Sequence, residues 1–300
     1  MKALPCAAAA DFPRERASLR DYVELTKARI AVLVVATVAV GAFAAARGAA
    51  DPLTLLHVAA GTALLAAGSS VLNQLIERDT DAKMVRTESR PVVTGRVSAR
   101  EALVLGVMLA SAGAAWLFLG VNVLSGALGV ATLALYVGAY TPLKTRTPLC
   151  TIVGAVPGAM PPLIGWAAVA GRLEPEAFLL FATVFLWQFP HFLAIAWMYR
   201  DDYGRAGLAI ITTRDATGAM TARQMLAYGL VLVPVSVAPA LAGLAGPIYF
   251  AGTLAASVLF LTLSCAFALR ATRARARVCL YGSLVYLPVV LTLLMVDLRV

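Results

Sequence analysis

Residues 55–91 read LLHVAAGTALLAAGSSVLNQLIERDTDAKMVRTESRP. The first half is an apolar run which, with its flanks, is long enough for the roughly 20-residue crossing of a bilayer. The second half sets Asn73, Glu77, Asp79 and Asp81 at the end of that run and follows them with Lys83, Arg86 and Arg90. An acid in a spanning helix costs roughly 2.5–3.5 kcal/mol even on the lenient insertion scale. Asn73, Glu77 and Asp81 are spaced by four, so on a continuous helix each advances about 40° and the three form one polar stripe. Asp79 points elsewhere. Such a stripe faces a wet cavity or binds cations, and its oxygen ligands suit Mg²⁺, which takes one or two carboxylates and fills its shell with water and phosphate oxygens. The plainer reading is a helix end resting among headgroups. Arg86 and Arg90 are also four apart, with Lys83 a turn earlier, and guanidinium forks fit diphosphate or carboxylate oxygens. Their plainer reading is the ordinary basic bias of a cytoplasmic loop.

The rest of the chain makes the membrane reading general. Its 300 residues are 61% hydrophobic and 14% charged, with a mean hydropathy of +0.83, more apolar surface than one soluble core hides. Nine segments are long and apolar enough to span: 29–46, 55–76, 102–120, 121–140, 150–169, 178–197, 225–244, 248–269 and 278–296. With the N-terminus inside and the C-terminus outside, the cytoplasmic segments hold all 25 Lys and Arg residues except Arg47, Arg172 and Arg299, as the positive-inside rule requires. Topology therefore accounts for most of the net charge of +9. Basic residues spread over five short segments form no nucleic-acid stripe. The chain is predicted to be an all-α membrane protein: a cytoplasmic segment, 1–28, and one polytopic domain, 29–300.

Cys6, Cys150, Cys265 and Cys279 have no metal-ligand or redox spacing and read as structural. The N-terminal residues lack the apolar run of a secretory signal, and Asp11, Glu15 and Asp21 argue against a transit peptide, so a bacterial inner membrane is the expected location. Pro157, Pro161 and Pro162 crowd the fifth segment, which should bend and pack inside the bundle or line a cavity. The two long, charged inner loops, 77–101 and 199–224, are where function is expected.

The second acidic site lies in residues 187–207, WQFPHFLAIAWMYRDDYGRAG. Asp201 and Asp202 close the sixth span, and His191 precedes Asp202 by about three turns, on the same face if the helix is continuous and roughly 16 Å deeper. A buried imidazole can ligate metal, carry a proton or simply pack. A cation-coupled transporter would also place acids in membrane spans, but near the midplane and beside paired broken helices; here they sit at the cytoplasmic ends.

The motifs NxxxExxxD and MxRTxxRP, with YTPLKTRTP (140–148), GAVPGAMPPLIGW (154–166) and WQFPHFLAIAWMYRDDY (187–203), resemble those of the UbiA-type intramembrane prenyltransferases. The likeness runs from about residue 22 to about residue 218, and the PHF and YRDDY segment is similar to the heme-modifying branch. The resemblance implies nine helices around a central cavity, with a prenyl diphosphate held at the cytoplasmic side by Mg²⁺. Carried over by position, Asn73, Glu77, Asp81 and Asp202 would be the Mg²⁺-diphosphate residues. Lys83, Arg86, Arg90, Lys144 and Arg146 would bind diphosphate or heme propionates, with Asp201 and Tyr203 of the YRDDY segment at the substrate. His191, flanked by Phe189 and Phe192, would contact heme, as iron ligand or as the group that positions water. The implied reaction joins the farnesyl group of farnesyl diphosphate to a vinyl group of heme b with addition of water, giving heme O. Heme b is then substrate rather than prosthetic group, and a heme A synthase or oxidase assembly protein is an implied partner. Another prenyl acceptor, such as a quinone or chlorophyll precursor, is the alternative within the same chemistry. The sequence departs from the pattern at Glu77, where many relatives carry Asp, at the adjacent Asp201 and Asp202, where acids are usually four apart, and at Cys150, where Asn is expected.

Overall fold

The computed structural model describes residues 17–299. Lys2, Cys6, Asp11, Arg14, Glu15 and Arg16 lie outside the described residues. Among the described residues, nine helices are long and apolar enough to cross a membrane, and each begins within seven residues of its sequence-based expectation.

The chain enters through α1 (Leu19–Thr26), which the hydropathy of the spans does not reveal. Asp21 reaches back to the N-cap, its Oδ2 accepting from the Ser18 amide at 2.9 Å and from the Ser18 hydroxyl at 2.7 Å. Its Leu25 packs with Val71, Val92, Val97 and Ala102. The first three spans are α2 (Ala28–Ala45), α3 (Pro52–Ile76) and α5 (Ala99–Gly120), with the single turn α4 (Arg78–Asp81) between the last two. Helices α3 and α5 approach at small residues: a Cβ at Gly68 would lie 2.5 Å from the Ala110 amide nitrogen. Close backbone approach at small residues is how helices associate in lipid, where no hydrophobic effect drives them together.

The fourth span starts as α6 (Val123–Leu133) and continues as a π-helix, Ala134–Tyr140, into the short α7 (Thr141–Leu143). Pro142 supplies the reason: it has no N–H for the carbonyl four residues back and its ring crowds that carbonyl. The Thr141 hydroxyl instead donates to Tyr136 O at 2.8 Å. The fifth span breaks at Met160 into α8 (Cys150–Ala159) and α9 (Pro161–Ala170), with Pro161 and Pro162 opening the second half. Residues Pro161 to Ala168 are all buried, so the expected bent, interior span is found.

The remaining spans are α10 (Pro175–Met198), α13 (Ala219–Leu241), α14 (Pro247–Leu269) and α15 (Arg273–Val296), with α11 (Arg200–Arg205) and α12 (Ile211–Arg214) in the second long loop. These four spans pack together, α10 against α13 and α15, and α14 against α13 and α15. Tyr286, Ser257 and Ser236 form a hydrogen-bonded chain of hydroxyls inside that bundle, and the Tyr249 hydroxyl donates to Ser236 O at 2.6 Å. Cys150 and Cys279 are buried, Cys265 is exposed and all three are free thiols.

Candidate functional site

The NxxxExxxD stripe departs from the continuous helix the spacing suggests. Helix α3 ends at Ile76, and Glu77 caps it with φ −84° and ψ 1° before α4 begins. The four-residue hydrogen bonding nevertheless carries across the joint, from Glu77 N to Asn73 O at 2.9 Å and from Asp81 N to Glu77 O at 2.7 Å. Asn73 and Asp81 are each 1% exposed, while the Asp79 side chain is 85% exposed, pointing elsewhere as expected.

Each member of the stripe has its own partner. The Asn73 amide donates to Thr141 Oγ1 at 3.0 Å, which leaves its carbonyl oxygen without a protein partner among the described residues. Lys144 Nζ lies 2.5 Å from Glu77 Oε1 and forms an ion pair with it. Arg90 pairs with the Asp81 carboxylate. Burial pushes the Asp81 carboxyl up, Arg90 pulls it down, and the neighbouring Glu77 adds to the upward push. Asp81 O accepts from the Thr87 hydroxyl at 2.8 Å, which folds the loop back under the acid.

Lys144 follows α7, and its ammonium also sits 4.5 Å from the centre of the Tyr140 ring. Sequence reading missed one cation altogether. Lys27, counted there only as a topological charge, occupies the joint between α1 and α2 in the left-handed region, φ 49°. Gln74 holds that joint against α3 by donating to Leu25 O at 2.8 Å. The Lys27 ammonium feels Arg90, Lys144, Glu77 and Asp81 at once but makes no ion pair among the described residues. Burial, then the charges of Arg90 and Lys144, bring its pKa down to about 8, against the opposing pull of Glu77 and Asp81. No pattern in the sequence marks it, because the joint that aims it is a tertiary feature.

The two long loops meet. Met84 of the first is buried with Ala196, Tyr203, Ala206 and Leu208 of the sixth span and second loop. The Arg86 guanidinium lies 5.2 Å from the centre of the Tyr199 ring, within cation–π range. Ala209 N donates to Lys144 O at 2.7 Å, tying the second loop to the fourth span. Tyr203 fills this contact as a packing residue, buried at 8% exposure. Lys83 and Arg146 are exposed, without ion pairs among the described residues.

Asp201 and Asp202 differ in kind. Asp201 is 60% exposed and pairs with Arg200 and Arg273, whereas the Asp202 side chain is 15% exposed and, among the described residues, pairs with Arg205 alone. The shared face expected of His191 and Asp202 assumed one continuous helix. Helix α10 ends at Met198 and Tyr199 turns the chain with φ −106° and ψ 19°, but, as at Glu77, four-residue hydrogen bonding crosses the joint, from Tyr199 N to Ile195 O at 3.1 Å and from Tyr203 N to Tyr199 O at 3.0 Å. His191 lies against α15: its Nδ1 is 2.7 Å from Ser283 Oγ, Trp187 stacks on it at 4.9 Å, and Phe192 meets it edge-on at 5.3 Å. Phe189 points away, stacked on Tyr228 of α13 at 3.6 Å and fully buried, and so does not flank the imidazole.

No cluster of three His, Cys, Asp or Glu side chains able to hold a metal occurs among the described residues. The first site does not need one. Two carboxylates and an amide oxygen that has no protein partner among the described residues form a hard-oxygen set that suits Mg²⁺ completed by water and phosphate oxygens. The surrounding cations Lys27, Arg90 and Lys144 then suit a polyanion.

Residues 34–287 match the UbiA prenyltransferase family. The chain belongs to the UbiA prenyltransferase family. Within it, the chain is 47% identical to the protoheme IX farnesyltransferase of Solibacter usitatus, over 93% of this chain and 99% of that one. It is 43% identical to the protoheme IX farnesyltransferase of Koribacter versatilis, over 93% of each. Among solved structures of UbiA proteins and their kin, a digeranylgeranylglyceryl phosphate synthase superposes with a TM-score of 0.78 at 17% identity, covering 93% of this chain and 98% of that one. A UbiA homologue from Aeropyrum pernix gives 0.72 at 22%, covering 90% and 98%. One from Archaeoglobus fulgidus, bound to DMAPP and Mg²⁺, gives 0.63 at 14%, covering 92% and 99%. At these identities the structures speak for the UbiA fold alone.

Proposed function

We propose that the chain transfers the farnesyl group of farnesyl diphosphate to a vinyl group of heme b with addition of water, releasing diphosphate and forming heme O. The observation that carries the chemistry is the buried Asn73–Glu77–Asp81 set ringed by Lys27, Arg90 and Lys144. Near full-length identity to protoheme IX farnesyltransferases supports heme as the acceptor.

The diphosphate head binds at this set and the C15 tail lies among the spans. Asn73, Glu77, Asp81 and Asp202 would hold Mg²⁺, which when bound would supply neutralisation of the leaving diphosphate. Arg90, Lys144 and Lys27 add fixed positive charge where negative charge develops on the departing oxygen, in a site poor in water, where such groups act most strongly. The C1–O bond breaks, the vinyl group of heme b donates its electron pair to C1, and the cation left beside the pyrrole is captured by water, which loses a proton. Arg86, held by Tyr199 where the two loops meet, binds a diphosphate or propionate oxygen. His191 contacts the heme, as iron ligand or as the acceptor that orients the water. We place the site on the cytoplasmic side of a bacterial inner membrane. A heme A synthase or oxidase assembly protein that takes up heme O is the partner proposed.

Purified protein supplied with heme b, farnesyl diphosphate and Mg²⁺ should yield heme O by mass, and chelation should stop it. Turnover of farnesyl diphosphate with another acceptor, with none on heme b, would overturn the assignment.

A further inference from the structure

Ser283 is wholly buried on α15 and touches His191 with its only hydroxyl. That hydroxyl has one proton. Ser283 Oγ lies 2.6 Å from Leu280 O, to which it donates, since a carbonyl can only accept. Towards His191 Nδ1, 2.7 Å away, the same oxygen must then act as acceptor, so the ring proton sits on Nδ1. Trp187 stacks on the imidazole and donates its indole N–H to Ser283 O at 2.9 Å. The ring is therefore fixed in rotation as well as in tautomer. Nε2 has no partner among the described residues and does not belong to the buried polar atoms left unsatisfied there, so it reaches open space.

We infer that Ser283 is a positioning residue that holds His191 as the Nδ1–H tautomer and so presents an Nε2 lone pair to the acceptor. This rests on the reading of His191 as the heme-contacting residue and sharpens it. A lone pair at Nε2 can ligate iron or accept a proton from the water that adds to the product cation; it cannot donate a hydrogen bond to a propionate. The group behind a ligating or basic histidine commonly sets its tautomer in this way.

The chain has two histidines, His57 and His191, which makes the test direct. Protein carrying ¹⁵N-labelled histidine, in nanodiscs and without heme, should give for His191 a protonated Nδ1 and an unprotonated Nε2, the signals assigned by their loss in His191→Gln. Ser283→Ala keeps the backbone carbonyl that Trp187 uses, so the ring wall stays, but the tautomer should become mixed. Heme farnesylation should fall roughly 10- to 100-fold with the KM for farnesyl diphosphate unchanged, and Ser283→Thr should restore both. An Nε2-protonated ring in the parent protein, or unaltered signals in Ser283→Ala, would overturn the inference. So would full activity in Ser283→Ala while His191→Ala is inactive. If His191→Ala is itself fully active, the reading of His191 fails instead.

Discussion

Asp81 and Asp202 look equivalent in the sequence and are not so in the structure. The Asp81 carboxylate is 1% exposed and paired with an Arg90 side chain that is 17% exposed, and removing one partner of a buried pair leaves an uncompensated charge, worth about 3–5 kcal/mol. Asp202 is a less buried acid whose partner, Arg205, is 54% exposed, so its loss should cost little stability. Asp202→Asn is therefore expected to abolish turnover with an unchanged melting temperature, whereas Asp81→Asn should lose both activity and several degrees. Full activity in Asp202→Asn at limiting Mg²⁺ would remove it from the metal set. Lys27 gives a pH test. With its pKa lowered to about 8, its ammonium is present below that value and lost above it, so the KM for farnesyl diphosphate should rise as pH passes through 8. Lys27→Arg should flatten the rise and Lys27→Met should raise KM at every pH. A parent profile no steeper than that of Lys27→Arg would show that Lys27 takes no part in anion binding. Nothing in the sequence singles out Lys27 from the other basic residues of the inner segments; its role comes from a left-handed backbone joint and from charges 50 to 117 positions away that only folding gathers.

Spans were legible as elements because a helix in lipid must be apolar on nearly every side, and length then finds it. Their interruptions were legible only where proline marks them, as at Pro161 and Pro162. The breaks at Glu77 and Tyr199 carry no proline or glycine, and α1 is too short and polar to register as a span. Close contacts between elements were also hidden. Gly165 of α9 lies so near α2 that a Cβ there would meet Val38 O at 1.9 Å, backbone against backbone. Gly165→Ala should therefore push α2 and α9 apart, at a cost of roughly 1–3 kcal/mol or more, and reduce the yield of folded protein. Gly138, where a Cβ meets nothing within 4 Å, is the control: Gly138→Ala should fold normally. Equal thermal stability of the two variants would contradict the α2–α9 packing.

At the scale of the whole molecule, the two long inner loops form one surface through Met84 and through Arg86 with Tyr199, and Ala209 N with Lys144 O ties the second loop to the end of the fourth span. An odd number of spans puts the two ends of the described chain on opposite sides. In protein stripped of its native cysteines, Ser89→Cys should resist a membrane-impermeant thiol reagent in intact cells and react after permeabilisation. Arg172→Cys should react in both. The reverse pattern would invert the topology and move the site to the outer side. Asn73, Glu77, Asp81 and Arg90 could be grouped from the sequence because all lie within 18 positions of one another, and the structure pairs Arg90 with Asp81. Lys144 joins them through the family likeness and the fold.

The sequence by itself determined the spans, the oxygen-rich stripe and the family, because each is written in composition or in short-range spacing. Tertiary structure decided which cations face the stripe, which of the two adjacent acids is sheltered, and which nitrogen of His191 is free. Those depend on side chains from different helices meeting at hydrogen-bond distance, and a one-proton hydroxyl such as that of Ser283 can choose a tautomer only once α15 has been packed against α10.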